Sequence, residues 1–339
     1  MENDDEELKV FIKVWLLAIS AICYSFYISI LTSKGVKRLL FLLPIITLFS
    51  IIPLALSRVH FIIITFIYLT WLANFKLVLF AFNNGPLASN PPLPLSTFIS
   101  IALFPINLKR NSKISRPSYK LVLLALKAIL LALTMSVYQQ YKDKLHITLV
   151  LCLYLCYFYL ILELGYAITA FFVKMLFLGF NYEIEPQFDE PYLSTSLQNF
   201  WGRRWNLVVS SILKSSVYYP VRKILFPILG HMWSKLLAIF ITFLVSGLMH
   251  ELLYFYLTRV WPTWEVTWLL VLHGVCVAVQ EAVKMNFNGR FQLHWVMSSP
   301  LTMMFLFVTM ELLLLPQLVR NGVDVKIINE CSVFVNFFI

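Results

Sequence analysis

The chain has 339 residues, of which 60% are hydrophobic and only 13% charged; soluble globular chains carry about twice that charged fraction, and the apolar blocks here are longer than a bilayer crossing needs, so a soluble globular protein is excluded. The net charge of +10 would raise nucleic acid for a soluble chain. Here the cations sit mainly between the apolar blocks with no zinc-finger, RNA-binding or basic-zipper pattern, so no nucleic acid is expected, and they should set topology and meet anionic lipid or an anionic substrate.

The expected fold is all-α: one integral membrane domain over residues 1–339, a polytopic helical protein of about eight spans plus re-entrant or interfacial helices. The N-terminus, with Glu2, Asp4, Asp5, Glu6 and Glu7, is the reverse of a signal peptide's basic start, so the first apolar run, 11–31, is expected to be retained as a signal anchor. The second span is 39–56, with Pro44 and Pro53 inside it, and the third is 59–82, where Lys76 is placed to snorkel to the interface. Prolines at 91, 92 and 94 exclude a regular helix there. The apolar piece that follows, 96–108, is too short to cross a bilayer and is predicted to be interfacial or re-entrant.

The fourth span is 121–138 and the fifth 147–172. Glu163 in the fifth faces a polar cavity or caps a packing network, two readings of equal weight. From 174 to 235 no plain span is expected: acidic residues come first, then an aromatic and basic stretch, then short apolar pieces at 207–213 and 217–230 that lie along or dip into the membrane. Spans at 236–257, 266–283 and 295–315 complete the set. Cys23, Cys152, Cys156, Cys276 and Cys331 form no metal cluster and imply no disulfide framework. The loop 32–38 carries three Lys or Arg and the tract 83–120 five. With the segment 174–235 and the loop 284–294, which holds Lys284 and Arg290, they place one face in the cytosol. The N-terminus and the loops at 57–58, 139–146 and 258–265 then face the lumen.

Residues 174–257 are expected to hold the catalytic core. They contain Gln198-Asn199-Phe200-Trp201-Gly202-Arg203-Arg204-Trp205-Asn206 and, inside a span, Ser246-Gly247-Leu248-Met249-His250-Glu251. Ionisable groups in hydrocarbon cost several kcal/mol unless partnered. A neutral His250 imidazole can take the proton of an attacking alcohol; the bland reading is a histidine hydrogen-bonded to a neighbouring helix. Glu251 points about 100° away on a helix and is expected to pair with a cation at the substrate site. Asn206 can donate its amide hydrogens to a developing thioester oxyanion. Trp201 and Trp205 would share a helical face, with Arg203 and Arg204 beside them to meet the phosphates of a nucleotide-containing thioester. Equally, all four serve as interface anchors.

His273 is a weaker candidate, since Gly274 beside it suggests close helix packing. With no Gly-x-Ser-x-Gly elbow and no His-Glu-x-x-His, His250 would act directly on an acceptor hydroxyl without a covalent acyl-enzyme. No three ligands have metal-site spacing, so no metal is expected. A rival reading is a lipid transporter or lipid-binding membrane protein, with Glu163, His250, Glu251 and Glu311 along a path.

The run from Ser196 to Leu207, with Val245 to Glu251 and Pro262-Thr263-Trp264-Glu265-Val266-Thr267, closely resembles plant wax synthases, the long-chain-alcohol O-fatty-acyltransferases of the membrane-bound O-acyltransferase superfamily. The likeness takes in Trp71 to Lys76, the Pro-Leu-Pro-Leu-Ser region at 92–96, and Glu185-Pro186-Gln187-Phe188 with Pro191-Tyr192-Leu193, so it covers nearly the whole chain. It implies a multi-pass enzyme of the endoplasmic reticulum that moves a fatty acyl group from acyl-CoA, its co-substrate, to an alcohol, with no other cofactor. His250 matches the family's intramembrane histidine and Asn206 its asparagine. The superfamily often has an acidic residue ahead of the Trp-Asn pair, where this chain has Gly202-Arg203-Arg204. The acceptor implied is a long-chain fatty alcohol, with a sterol as the alternative, and nothing in the sequence fixes an oligomeric state.

Overall fold

Hydrocarbon offers no partner for a backbone N–H or C=O, so each long apolar block becomes a helix, which satisfies both internally. The structure is a computed structural model that describes residues 2–90, 92–109, 118–142, 144–178, 183–286 and 294–338. Among the described residues eight helices are long and apolar enough to cross a membrane. Pro91, Arg110, Lys113, Arg116, Arg290 and Ile339 lie outside the described residues.

The chain runs through α1 (Glu2–Leu31), α2 (Val36–Ile51) with a 3₁₀ turn at Ile52–Ala55, α3 (Val59–Ala81), the short α4 (Leu95–Leu103), α5 (Ser118–Tyr141) and α6 (Ile147–Val173). It continues through α7 (Leu207–Leu213), α8 (Tyr219–Thr258), α9 (Glu265–Asn286), α10 (Trp295–Leu313), α11 (Leu315–Arg320) and α12 (Val323–Phe338). The fold is all-α apart from one two-residue antiparallel pair, β1 (Leu108–Lys109) with β2 (Glu183–Ile184). One core cluster joins α1, α2, the end of α3 and α4. A second joins the start of α3 to α7, α8, α9, α11 and α12.

The span positions follow the apolar blocks, and two details differ from expectation. The pieces at 207–213 and 217–230 do not remain separate: a π-helical turn, Lys214–Tyr218, links α7 to α8, and α8 is broken only at Gly230, whose φ of 72° and ψ of −175° suit glycine. Lys76 does not snorkel. It is 0% exposed and donates to the carbonyls of Ile101 at 2.6 Å and Phe104 at 2.7 Å, capping α4, whose last C=O groups have no helical partner. Arg38 does the same for α1 and α3, donating to the Ser29, Thr32 and Phe80 carbonyls.

Glu163 belongs to a packing network: it accepts from Lys127 at 2.5 Å, and Lys127 also donates to the Tyr159 hydroxyl at 3.3 Å. That pair fastens α5 to α6. The α8–α9 seam is close, because glycines face it. A Cβ at Gly274 would lie 2.6 Å from Phe243 Cβ, and one at Gly247 would lie 3.2 Å from Thr267 Cα.

The N-terminus and the loops at 57–58 and 258–265 gather at one end of the helices. Glu7 accepts from the Ser57 and Arg58 N–H groups at 2.6 and 3.0 Å. Glu330 accepts from Val59 N–H at 2.9 Å, His60 N–H at 3.1 Å and His60 Nδ1 at 2.7 Å. Two carboxylates thus cap the start of α3, and Arg259 caps the α2 turn through the Pro53, Leu54 and Leu56 carbonyls. Burial pushes the Glu330 carboxyl up, but the hydrogen bonds from His60 and the two backbone N–H groups outweigh it and hold the carboxyl below its ordinary range.

A group depressed in the folded state stabilises above its unfolded pKa of about 4.3, and that contribution is lost as pH falls through the folded value. Glu330→Gln is therefore expected to cost about 1–2 kcal/mol at neutral pH, the size of a helix cap. The gap from the unaltered chain should close in acid. Thermal unfolding in detergent across pH checks this.

Candidate active site

One face of α8 carries Lys235, Ile239, Thr242, Ser246, His250, Tyr254 and Leu257, all on the wall of one cavity of about 1010 Å³. From Lys235 to Leu257 the helix rises about 33 Å and from Lys235 to His250 about 22 Å, so the cavity runs through most of a bilayer's depth with His250 well inside. Its other walls come from α3 (Ile63, Ile67, Trp71), α6 (Phe158, Leu162, Tyr166), the 195–206 segment and α9, and its far end from α11 and α12. Arg203, Lys214, Lys235 and Lys284 stand at one end, and Leu257, Leu314, Leu318 and Ile327 line the other.

His250 Nδ1 is 2.8 Å from the Ser246 carbonyl one turn back. A carbonyl only accepts, so Nδ1 carries the proton and Nε2 is left with its lone pair. The ring also meets the Trp71 indole edge to face, with centroids 5.0 Å apart at 84°. Trp71 is 4% exposed and sits in a π-helical stretch, Phe66–Ala73. Behind it Phe66 packs on Tyr256 of α8 at 5.5 Å, while Thr70 and Asn74 bond to α2 at the Phe49 and Ile46 carbonyls. The imidazole is thus held by a hydrogen bond along α8 and a braced aromatic wall across from it.

Asn206 precedes α7 with φ 39° and ψ 66°, a left-handed conformation that Asn tolerates better than most residues. Its Oδ1 accepts from Val209 N–H at 3.3 Å as the N-cap, and Tyr166 stands with it on the cavity wall. The backbone around it is pinned by Leu207 N–H to the Gln187 carbonyl and Asp189 N–H to the Arg204 carbonyl, both 2.9 Å. Phe200–Arg204 forms a π-helical turn and Trp205 leaves it in extended geometry. Trp201 and Trp205 therefore do not share an α-helical face, yet their rings stand 6.4 Å apart and both line the cavity.

Residues 184–272 match the Membrane bound O-acyl transferase family. The chain is 45% identical to the long-chain-alcohol O-fatty-acyltransferase of Simmondsia chinensis, over 98% of this chain and 96% of that protein. The chain belongs to the membrane-bound O-acyltransferase family. It is also 45% identical to the probable long-chain-alcohol O-fatty-acyltransferase 1 of Arabidopsis thaliana, over 96% of each. To the acyl-CoA–sterol O-acyltransferase 1 of the same plant it is 40% identical, over 94% of this chain and 93% of that one. Membership makes the chain a multi-pass membrane acyltransferase and sets aside the transporter reading.

Of the residues singled out in the sequence of this acyltransferase, His250, Asn206, Trp201, Trp205 and Arg203 line the cavity. Two of them serve elsewhere. Arg204 donates to Asn199 Oδ1 at 2.9 Å and to the Asp189 and Glu190 carbonyls at 2.8 and 3.2 Å, so its guanidinium is spent on holding the loop. Glu251 is 2% exposed. It accepts from Trp264 N–H and the Thr267 hydroxyl, both 3.0 Å, capping the start of α9 instead of pairing with a cation at the substrate site. His273 is also a packing residue: Nε2 meets the Thr309 hydroxyl at 2.9 Å, between the rings of Trp201 and Phe305.

Sequence reasoning passed over Trp71, Tyr166, Lys235 and Glu281, all on the cavity wall. Glu281 carried a readable signal, a carboxylate inside the predicted span 266–283. Trp71 belongs to a stretch shared with the family, but nothing in the sequence links it to His250, 179 positions further on. Removing the wall behind the imidazole should lower turnover more than substrate affinity, because small misplacement of a reacting group is costly. Trp71→Leu is expected to lower kcat on the order of 10- to 100-fold with a smaller change in KM, and Trp71→Phe to retain most of kcat. Steady-state kinetics at matched protein abundance separates the two.

Proposed function

We propose that this acyltransferase moves a fatty acyl group from acyl-CoA to the hydroxyl of a long-chain alcohol in the endoplasmic-reticulum membrane, yielding a wax ester and CoA, with His250 as general base. The observation that carries it is the position of the His250 Nε2 lone pair on the wall of a cavity with cations at one end and an apolar lining at the other. A fatty acyl-CoA has that same division, a polyanionic head and an apolar tail.

The head is placed against Arg203, Lys214, Lys235 and Lys284, with the acyl chain and the alcohol's chain along the apolar walls. The alcohol hydroxyl donates to His250 Nε2, and its oxygen attacks the thioester carbonyl as the proton leaves. The carbonyl oxygen, now carrying negative charge, meets the Asn206 amide hydrogens. Collapse breaks the C–S bond, and the imidazolium returns its proton to the departing thiolate, so ester and CoA leave and the imidazole is neutral again. Trp71 and the Ser246 carbonyl keep the ring aligned through the cycle.

Two relatives that esterify long-chain alcohols, or carry that name as probable, stand at 45% identity and the sterol acyltransferase at 40%, which favours the linear acceptor. The test is ester formation in microsomes from cells without their own neutral-lipid acyltransferases, given labelled acyl-CoA with hexadecanol and a phytosterol. Wax ester is expected from the unaltered chain, with a loss on the order of 100- to 10,000-fold in His250→Ala. Sterol ester alone would overturn the acceptor. Full activity in His250→Ala would overturn the base.

A further inference from the structure

A site for a polyanionic head should carry cations, and the cavity's charged end also holds a carboxylate. Glu281, on α9, lines the same cavity as Lys235 and Lys284 and is only 4% exposed. Its Oε1 accepts from Lys235 Nζ of α8, and its Oε2 accepts from Gln198 Nε2 of the 197–199 turn. Gln198 N–H in turn donates to Gln280 Oε1 at 3.2 Å. One buried carboxylate therefore ties three elements together across the cavity mouth. Lys284, one turn further along α9, adds its charge to the same spot.

A carboxylate left facing bound phosphates would repel them. The buried carboxylate would be unfavourable without a cation when no donor is bound, and the half-buried Lys235 ammonium supplies it. Pairing the two solves the second problem, and when the pair opens the first is offset by the Gln198 hydrogen bond and the Lys284 charge that Glu281 keeps. We propose that Glu281 is a resident counter-ion for Lys235 which the phosphates of the acyl donor displace: the ammonium turns to the donor's head, and Glu281 reclaims it when CoA leaves. Gln198, which keeps one carboxylate oxygen bonded, and Lys284 hold Glu281 in reserve during the exchange. The exchange makes donor binding weaker than the cations alone would allow, and CoA release faster. It also makes Lys235 and Glu281 selective for a donor with a phosphate-bearing head.

This inference rests on acyl-CoA being the donor, and two donors separate the two ideas: palmitoyl-CoA, and palmitoyl-pantetheine, which keeps the thioester but has no phosphate. Full-length protein in nanodiscs with hexadecanol is compared with Glu281→Gln, Lys235→Met and the double variant. Glu281→Gln should lower KM for palmitoyl-CoA and the inhibition constant of free CoA by roughly threefold or more, with palmitoyl-pantetheine unchanged. Lys235→Met should raise KM for palmitoyl-CoA alone, and in its background Glu281→Gln should have no further effect.

A merely structural Glu281 could not tighten binding. A rise in KM in Glu281→Gln, or an equal change for both donors, overturns the counter-ion and leaves the donor reading intact. Equal KM values for the two donors in the unaltered chain overturn both. Where Glu281→Gln does not accumulate, Lys235→Met decides alone: an unchanged preference for palmitoyl-CoA sinks the exchange.

Discussion

A helix end within a membrane exposes four N–H or four C=O groups that have neither an intrahelical partner nor water. The way this chain meets those groups determines most of its architecture. Carbonyl ends receive cations: Arg38 at α1 and α3, Lys76 at α4 and Arg259 at the turn after α2. N–H ends receive carboxylates: Glu7 and Glu330 at α3 and Glu251 at α9. Each charge sits where the helix dipole favours its sign. Each also comes from a different element, so the same bonds fix how the helices assemble. Glu251 shows the coupling to function, since the carboxylate next to His250 fastens α8 to the start of α9 and so sets the frame in which the imidazole stands.

The cavity wall follows a different rule. Among the described residues four π-helical segments occur, and three of them, Phe66–Ala73, Phe200–Arg204 and Lys214–Tyr218, contribute to the wall. A π turn inserts a residue into the helical register and is often retained at functional sites for that reason. Here the shifts accompany the placement of Trp71 against His250 and of Trp201, Arg203 and Lys214 on the wall.

These two rules explain what was legible in the sequence. Spans follow from apolar length alone, and the short α4 from a proline stop and a run too short to cross. His250 and Asn206 stood out because their residue types suit proton transfer and oxyanion binding. Lys76, Arg204 and Glu251 meet backbone groups that the sequence did not point to, for a physical reason: a polar group in a membrane has the same sequence signature whether it meets water, a substrate or a stranded backbone group. Lys76 is 25 residues from the Ile101 carbonyl it meets, and no periodicity points from one to the other. The π segments were equally hidden, because the 3.6-residue pattern used to place side chains on faces fails where the register slips.

The distance between the charged mouth and the histidine, about 22 Å along α8, gives those parts a common meaning. Binding energy gathered at the head of a donor has no effect on the chemistry unless it is used to place the reacting bond. In the proposed reaction, with the head held among Arg203, Lys214, Lys235 and Lys284, the depth reached by the thioester is set by the length of the pantetheine arm, not by the acyl chain. His250, Trp71 and Asn206 then need no adjustment to chain length, which is taken up further along the apolar wall. On the proposed reaction the mouth selects the class of donor and the far end the chains, while the seam between α8 and α9 keeps the histidine at one depth between them.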